Sequence, residues 1–224
     1  MRNPLNGIRF THKLLETTPI SENQKQFLET SNACERQILA IIEDMDLGSI
    51  DEGSTELRME EFVLRNVLDT VVSQVMILLK ERNLQLLHEI LKEIKTLFLY
   101  GDRIRLQLVL SDFLLNVVQH APPGGWVELK ISPGLKLIRD GNEFVRLEFR
   151  MTHPGKGLPS TLIQEMNEDG NSWTQEGLGL NMSRKLLNKM NGHVQYVREH
   201  DRCYFLVDLE IRTRKGRLKA SQGE

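Results

Sequence analysis

Apolar residues recur at helical spacing through the first part of the chain. Leu5, Ile8, His12 and Leu15 follow 3-4-3 steps, and Phe27, Ser31, Cys34, Ile38, Ile41 and Met45 alternate steps of four and three. Such stripes predict two amphipathic helices. Thr17-Thr18-Pro19 stops the first, and Ser21-Glu22-Asn23-Gln24 reads as a capping box for the second. A short turn between them makes an antiparallel hairpin. Its stripe (Leu5, Ile8, Leu15, Phe27, Cys34, Ile38, Ile41, Met45) is too apolar to stand in water. Pairing with a second copy into a four-helix bundle covers it; packing on the chain's own second domain is the other solution. His12 falls on the stripe as a packed or partly exposed seam residue, and Cys34 as inert core.

Asp44 to Gly53 is acidic and ends in glycine, which predicts a boundary between a hairpin at 1–50 and a second unit at 54–212. Phe62, Asn66, Val67, Val71, Val75 and Leu78 predict a helix ended by Lys80-Glu81-Arg82-Asn83. Leu84–Ile90 and Leu97–Leu99 are short strand candidates. Gly101-Asp102 caps a further helix whose predicted inner face carries Ile104, Leu108, Leu115 and Val118. Trp126–Ile131 alternates apolar and polar residues, as does Val145–Phe149, so both read as strands. Pro133-Gly134 and Asp140-Gly141-Asn142 bracket the return between them. Leu180, Ser183, Leu187 and Met190 predict a helix closed by Asn191-Gly192. Val194–Tyr196 and Cys203–Ile211, joined by a turn at Glu199–Arg202, complete a sheet. The predicted fold is α+β, an antiparallel or mixed sheet covered on one face by three helices and preceded by the hairpin. A basic tail at 213–224, with Arg214, Lys215, Arg217 and Lys219, reads as solvated or disordered.

Composition narrows the picture without redirecting it. A chain of 224 residues with 40% hydrophobic and 27% charged residues has an ordinary globular make-up. A formal net charge of −2 gives no overall field for nucleic acid. Two cysteines, Cys34 and Cys203, are too few for a disulfide framework and suit a reducing compartment. No apolar run approaches a membrane span. The chain opens directly into a helical pattern, as a fragment of a longer protein would.

Candidate chemistry gathers at three places. His153-Pro154-Gly155-Lys156-Gly157-Leu158-Pro159 follows a strand, and glycines there permit positive φ or close approach of a ligand. By itself this stretch reads first as a tight surface turn. Gly177-Leu178-Gly179-Leu180 opens a helix, where free N–H groups and the dipole suit a phosphate. Asp112, Asn116 and His120 stand at i, i+4 and i+8 on one helix face. A carboxylate and an amide so placed can hold a hard cation that bridges to phosphates. Trp173, in the polar segment from Ser160 to Glu176, reads as a packing residue or a contact to a base.

In this order the three elements resemble the ATP-binding domain of histidine kinases and their gyrase, Hsp90 and MutL relatives. The Asp112–Asn116 helix is similar to the N box, Gly155–Gly157 to the G1 box and Gly177–Leu180 to the G2 box, and Arg2-Asn3-Pro4-Leu5 looks like the tail of the H box of a dimerisation helix. The resemblance implies Mg-ATP as cofactor, with Asn116 the magnesium ligand, and it puts a mobile ATP lid at Ser160–Glu176.

The chain also departs from that pattern. The phosphorylated histidine would lie two residues before Met1, outside this chain. The usual lysine after Asn116 is Gln119, the usual adenine-binding aspartate is His153, and the first G2 glycine is Gln175. Losing one charge-assisted hydrogen bond costs about 1.5–3 kcal/mol, so ATP binding is expected to be weakened or lost. These departures resemble the carboxyl-terminal histidine-kinase-related module of plant phytochromes, with the E-type branch the best match. Arg2–Phe10, Leu97–Leu110, Thr152–Pro159 and Met190–Gly192 carry the likeness. It implies a red/far-red photoreceptor with its bilin chromophore on upstream domains, a homodimer, passage between cytoplasm and nucleus, and output through protein partners such as transcription factors, without direct nucleic-acid or membrane contact. A weak ATP-dependent protein kinase is the alternative.

Overall fold

The computed structural model describes residues 2–45, 57–168 and 174–213. The predicted boundary beyond Met45, Asp169-Gly170-Asn171 with Trp173, and the basic tail from Arg214 lie outside the described residues, as do the side chains of Ile41 and Met45.

The hairpin forms as its pattern predicts. Helix α1 (Arg2–Glu16) and helix α2 (Glu22–Met45) flank a turn at Thr17–Ser21. The capping box is present: Ser21 N–H donates to Gln24 Oε1 at 2.8 Å, and Gln24 N–H donates to Ser21 Oγ at 3.3 Å. The stripe, however, divides. Leu5, Leu28 and Ala33 are buried together with a polar seam, in which Glu35 accepts from Arg9 Nε at 2.9 Å and lies 3.2 Å from His12 Nδ1, while Ser31 Oγ lies 2.8 Å from His12 Nε2. His12 is therefore packed. Ile8, Leu15, Phe27, Cys34 and Ile38 face outward instead, so Cys34 is exposed rather than core.

After the hairpin come β1 (Glu60–Val63), α3 (Leu64–Glu81), β2 (Gln85–Ile90), a single turn α4 (Lys92–Lys95), β3 (Phe98–Gly101) and α5 (Arg103–His120). The long pair β4 (Trp126–Arg139) and β5 (Asn142–Pro154), α6 (Ser160–Asn167), α7 (Gln175–Lys189), β6 (Gly192–Arg198) and β7 (Arg202–Thr213) follow. The strands form one seven-stranded sheet in the order β1-β3-β7-β5-β4-β2, with β6 also against β7. The β2–β4 pairing is parallel and the rest are antiparallel, so the sheet is mixed.

The alternation in β5 and β7 sets the two faces. Val145, Leu147, Phe149 and Met151 point into the core with Phe205, Val207 and Leu209, and α3, α5, α6 and α7 cover them. On the other face Arg146 pairs with Asp208, Arg139 with Glu210 at 2.6 Å, and Lys130 with Glu89 at 2.8 Å. The hairpin docks on the helical layer, where Thr30 Oγ1 donates to the Ser73 carbonyl of α3 at 2.9 Å and Lys80 sits over the Phe27 ring. One face of α2 thus rests on the second unit while the Phe27–Ile38 face remains exposed.

Four readings of the second unit are also corrected. Phe62 lies in β1, and the helix starts at Leu64. Pro133-Gly134 does not end β4; the strand passes it with a register shift before Lys136. The first part of the polar segment, Ser160–Asn167, is a helix that buries Leu162 and Met166. On α5 the named inner positions Ile104, Leu108 and Leu115 are only part-buried, because the side against the sheet is built from Leu106, Val109, Leu110, Phe113, Leu114 and Val117.

Candidate nucleotide site

Helix α5 is pinned at its start. Asp102 caps it, accepting from Arg105 N–H at 3.0 Å, and also accepts from the Arg58 backbone at 3.0 Å. Apolar residues on both flanks then fix the rotation of the helix, so Asp112, Asn116 and His120 share one face toward α7. A Cβ on Gly179 would stand 3.5 Å from Asp112 Oδ1, and His120 Nε2 lies 3.8 Å from the Glu176 carboxylate.

Burial raises the Asp112 carboxyl to about 6, against a hydrogen bond from Ser183 of α7 that lowers it. Burial lowers the His120 imidazole; Glu176 opposes that shift and Arg82 adds to it. Asn116 is 3% exposed and donates its amide to the Asp112 backbone carbonyl at 2.9 Å. Its Oδ1 is left buried without a partner, as is Asp112 Oδ2. Two unpartnered oxygens on one face fit a hard divalent cation. Among the described residues no cluster of three His, Cys, Asp or Glu offers an alternative metal centre.

The other end is built by β5 and the loop after it. Gly155 and Gly157 take φ of +99° and +83°, which favours glycine at both. A Cβ on Gly157 would also stand 2.5 Å from the Tyr196 hydroxyl and 2.7 Å from Cys203 Sγ. His153 is fully buried, with Nδ1 3.0 Å from the Pro154 carbonyl and Nε2 3.3 Å from the Tyr196 hydroxyl. That hydroxyl in turn accepts from Leu158 N–H at 2.7 Å. The network assigns the proton to Nδ1, with Nε2 accepting from Tyr196. Burial lowers the imidazole, the Pro154 carbonyl opposes this, and nearby His120 reinforces it. Both ring nitrogens are committed within the protein, so the side chain has no free acceptor for the amino group of an adenine. The cation end fits its expected group; the adenine end does not.

Helix α7 differs from its reading. It begins at Gln175 with Thr174 as N-cap, so Gly177 N–H is not free but donates to Thr174 Oγ1 at 3.0 Å. Gly177 is buried and Gly179 half-buried. Three residues were not singled out from the sequence. Thr174 carries a signal, a capping residue just before an apolar-periodic run. Tyr196 and Glu165 carry none, since sheet register and the packing of α6 bring them in.

The family model described as histidine kinase-, DNA gyrase B- and HSP90-like ATPase matches residues 101–214, which hold both ends of this site. The chain belongs to that family. The His Kinase A (phospho-acceptor) domain model matches residues 1–53, the hairpin. Phytochrome E of Ipomoea nil is 65% identical over 99% of this chain and 20% of its own length. Phytochrome E of Arabidopsis thaliana is 59% identical over 96% of the chain and 20% of its own, and Phytochrome B-2 of Glycine max 60% over 94% and 18%. The chain thus spans about a fifth of the length of these curated relatives. Among solved structures, full-length ShkA in complex with AMPPNP aligns with TM-score 0.56 at 22% identity, over 95% of this chain and 44% of that one. The catalytic domain of histidine kinase ThkA, nucleotide free, aligns with TM-score 0.51 at 19% identity, over 68% of this chain and 95% of that one. At that identity these neighbours speak for the histidine-kinase ATPase fold alone.

Proposed function

We propose that the chain is the signalling-output and dimerisation module of a phytochrome-type red/far-red photoreceptor, in which the ATPase fold is retained and its nucleotide chemistry has lapsed. The observation that carries this reading is His153, where a family member needs a free acceptor and this chain has a buried ring with both nitrogens bonded internally. Gln119, in place of a phosphate-directed lysine, removes a second contact. In this reading the exposed face of Ile8, Leu15, Phe27 and Ile38 pairs two copies, and output passes through protein partners such as transcription factors in cytoplasm and nucleus. The bilin belongs to domains upstream. Among the described residues no helix is long and apolar enough to cross a membrane.

Mg-ATP titrated calorimetrically into the chain tests this. The expected result is no saturable binding at millimolar nucleotide, from protein that sediments as a dimer and that Phe27→Glu with Ile38→Glu makes monomeric. A second reading, a weak ATP-dependent protein kinase, is favoured by the unpartnered oxygens of Asp112 and Asn116. Saturable binding that Asn116→Ala abolishes would establish a working pocket in its place.

A further inference from the structure

The seam between α1 and α2 holds a serine, a histidine and a glutamate in one hydrogen-bonded line. Ser31 and Glu35 stand four residues apart on one face of α2, and Arg9 and His12 three apart on one face of α1. The turn at Thr17–Ser21 folds these two faces together. Ser31 Oγ then lies 2.8 Å from His12 Nε2, and His12 Nδ1 lies 3.2 Å from Glu35 Oε2. Arg9 Nε donates to the other carboxylate oxygen at 2.9 Å and holds it in place. His12 and Glu35 are buried, whereas Ser31 is exposed.

These contacts set the roles of the two ring nitrogens. Nδ1–H donates to the carboxylate, so Nε2 keeps its lone pair for the Ser31 hydroxyl. Two threonines of the same hairpin show what a helical hydroxyl ordinarily does. Thr11 and Thr30 donate back to the carbonyls of Gly7 and Gln26, four residues earlier, both at 3.0 Å. The Ser31 hydroxyl meets instead a buried base that a buried carboxylate orients. That arrangement turns a hydroxyl into a nucleophile. Phe27, Cys34 and Ile38 stand four residues before it and three and seven after, all exposed, so the surface beside Ser31 is apolar.

We propose that Ser31 is a nucleophile activated by His12 and Glu35, and that it accepts an apolar acyl group from an activated ester. In the transfer a bond forms between Ser31 Oγ and the carbonyl carbon, and the bond from that carbon to the ester's alcohol oxygen breaks. The hydroxyl proton passes to His12 Nε2 and from there to the departing oxygen. Glu35 is a positioning residue, which holds the tautomer and stabilises the imidazolium while the proton is on the ring.

The test mixes para-nitrophenyl butyrate with the 224-residue chain and maps the butyryl group by peptide mass spectrometry. Cys34→Ala is the background, so that an exposed thiol three residues away does not compete. The same chain with Phe27→Glu and Ile38→Glu is run beside it, so that pairing of two copies cannot hide the serine. Ser31 is expected to be acylated at least about a hundred-fold faster than Ser21, whose hydroxyl caps α2, the worth of a positioned general base. His12→Gln should bring Ser31 down to the Ser21 rate. Nitrogen NMR of the neutral His12 ring should show Nδ1 protonated and Nε2 bare in the parent, and a mixture of tautomers in Glu35→Gln, with acylation slowed at least about ten-fold. Acylation of Ser31 no faster than that of Ser21 in both forms overturns the proposal, and so does a rate that His12→Gln leaves unchanged. If His12→Gln opens the hairpin, the ratio of Ser31 to Ser21 without it decides alone.

Discussion

The hydroxyl of Tyr196 lies 3.3 Å from Nε2 of His153, and the same oxygen accepts the Leu158 amide at 2.7 Å. One phenol from β6 thereby ties the end of β5 to the start of α6, across the two positive-φ glycines between them. Tyr196→Phe leaves a buried ring nitrogen and a backbone N–H unpartnered. Each such loss costs about 1–3 kcal/mol. The expected destabilisation is at least about 2 kcal/mol by urea unfolding, with the slope of the transition unchanged. A loss below about 0.5 kcal/mol would mean that water replaces the phenol and that the network does not hold the loop.

The carboxyl of Asp112 predicts a dependence on pH. Its folded value is raised from 3.8 to about 6, so the folded state holds a proton there that the unfolded chain has released. The contribution is fully present below pH 3.8 and is lost as pH rises through 6. It amounts to about 3 kcal/mol, since a tenfold change in proton affinity corresponds to about 1.4 kcal/mol. His153 runs the other way: its lowered imidazole favours folding above its ordinary range and loses that contribution as pH falls. The two slopes oppose one another, so the difference between parent and Asp112→Asn isolates the first. Asp112→Asn is expected to melt higher than the parent at pH 7.5, with the gap closing by pH 4. A gap independent of pH would show that Asp112 does not titrate in this range.

Local rules made much of the fold legible. The Ser21–Gln24 capping box, the alternation of Val145–Phe149 and the Lys80–Asn83 helix stop all form where the residues placed them, the last with Asn83 at φ +53°. What was missed depends on partners distant in the chain. Pro133 read as a strand breaker, but β2 pairs with β4 only as far as Ile131, and β5 carries the ladder past Pro133 by a register shift before Lys136. Cys34 read as core because its stripe is apolar, yet the chain buries the neighbouring face against α1 and α3 instead. At the site, residue types along α5 announced Asp112 and Asn116, while nothing local announced that Tyr196 would occupy His153 or that the Glu165 carboxylate would accept from Thr174 at the start of α7.

The glycines of the site should respond differently to one methyl group. At Gly179 the nearest atom to an added Cβ is Asp112 Oδ1 at 3.5 Å, an ordinary contact in a helix. Gly179→Ala should therefore stabilise by about 0.5–1 kcal/mol. Gly157→Ala meets Tyr196 and Cys203 at 2.5 and 2.7 Å in left-handed backbone. It should destabilise by more than about 2 kcal/mol, from the conformation and the clash together. Thermal melts of the two variants check the contrast, and equal effects would show that neither local geometry is held as described.

Glu35 predicts a change confined to the hairpin. Its carboxylate, 6% exposed, receives Arg9 and His12 from α1 across the seam. Glu35→Ala leaves the buried His12 nitrogen without that partner, at a cost of about 2 kcal/mol. The hairpin touches the rest of the molecule through one face of α2, so this loss should appear as local opening rather than global unfolding. Amide hydrogens of α1 and of α2 through Ala33 are expected to exchange about thirty-fold faster, the kinetic equivalent of that free energy. Those of α5 and β5 should keep the parent's rates, because Glu35 touches neither element. Acceleration spread equally through α5 and β5 would mean that hairpin and sheet unfold as one unit, with the Thr30–Ser73 contact between α2 and α3 transmitting the loss.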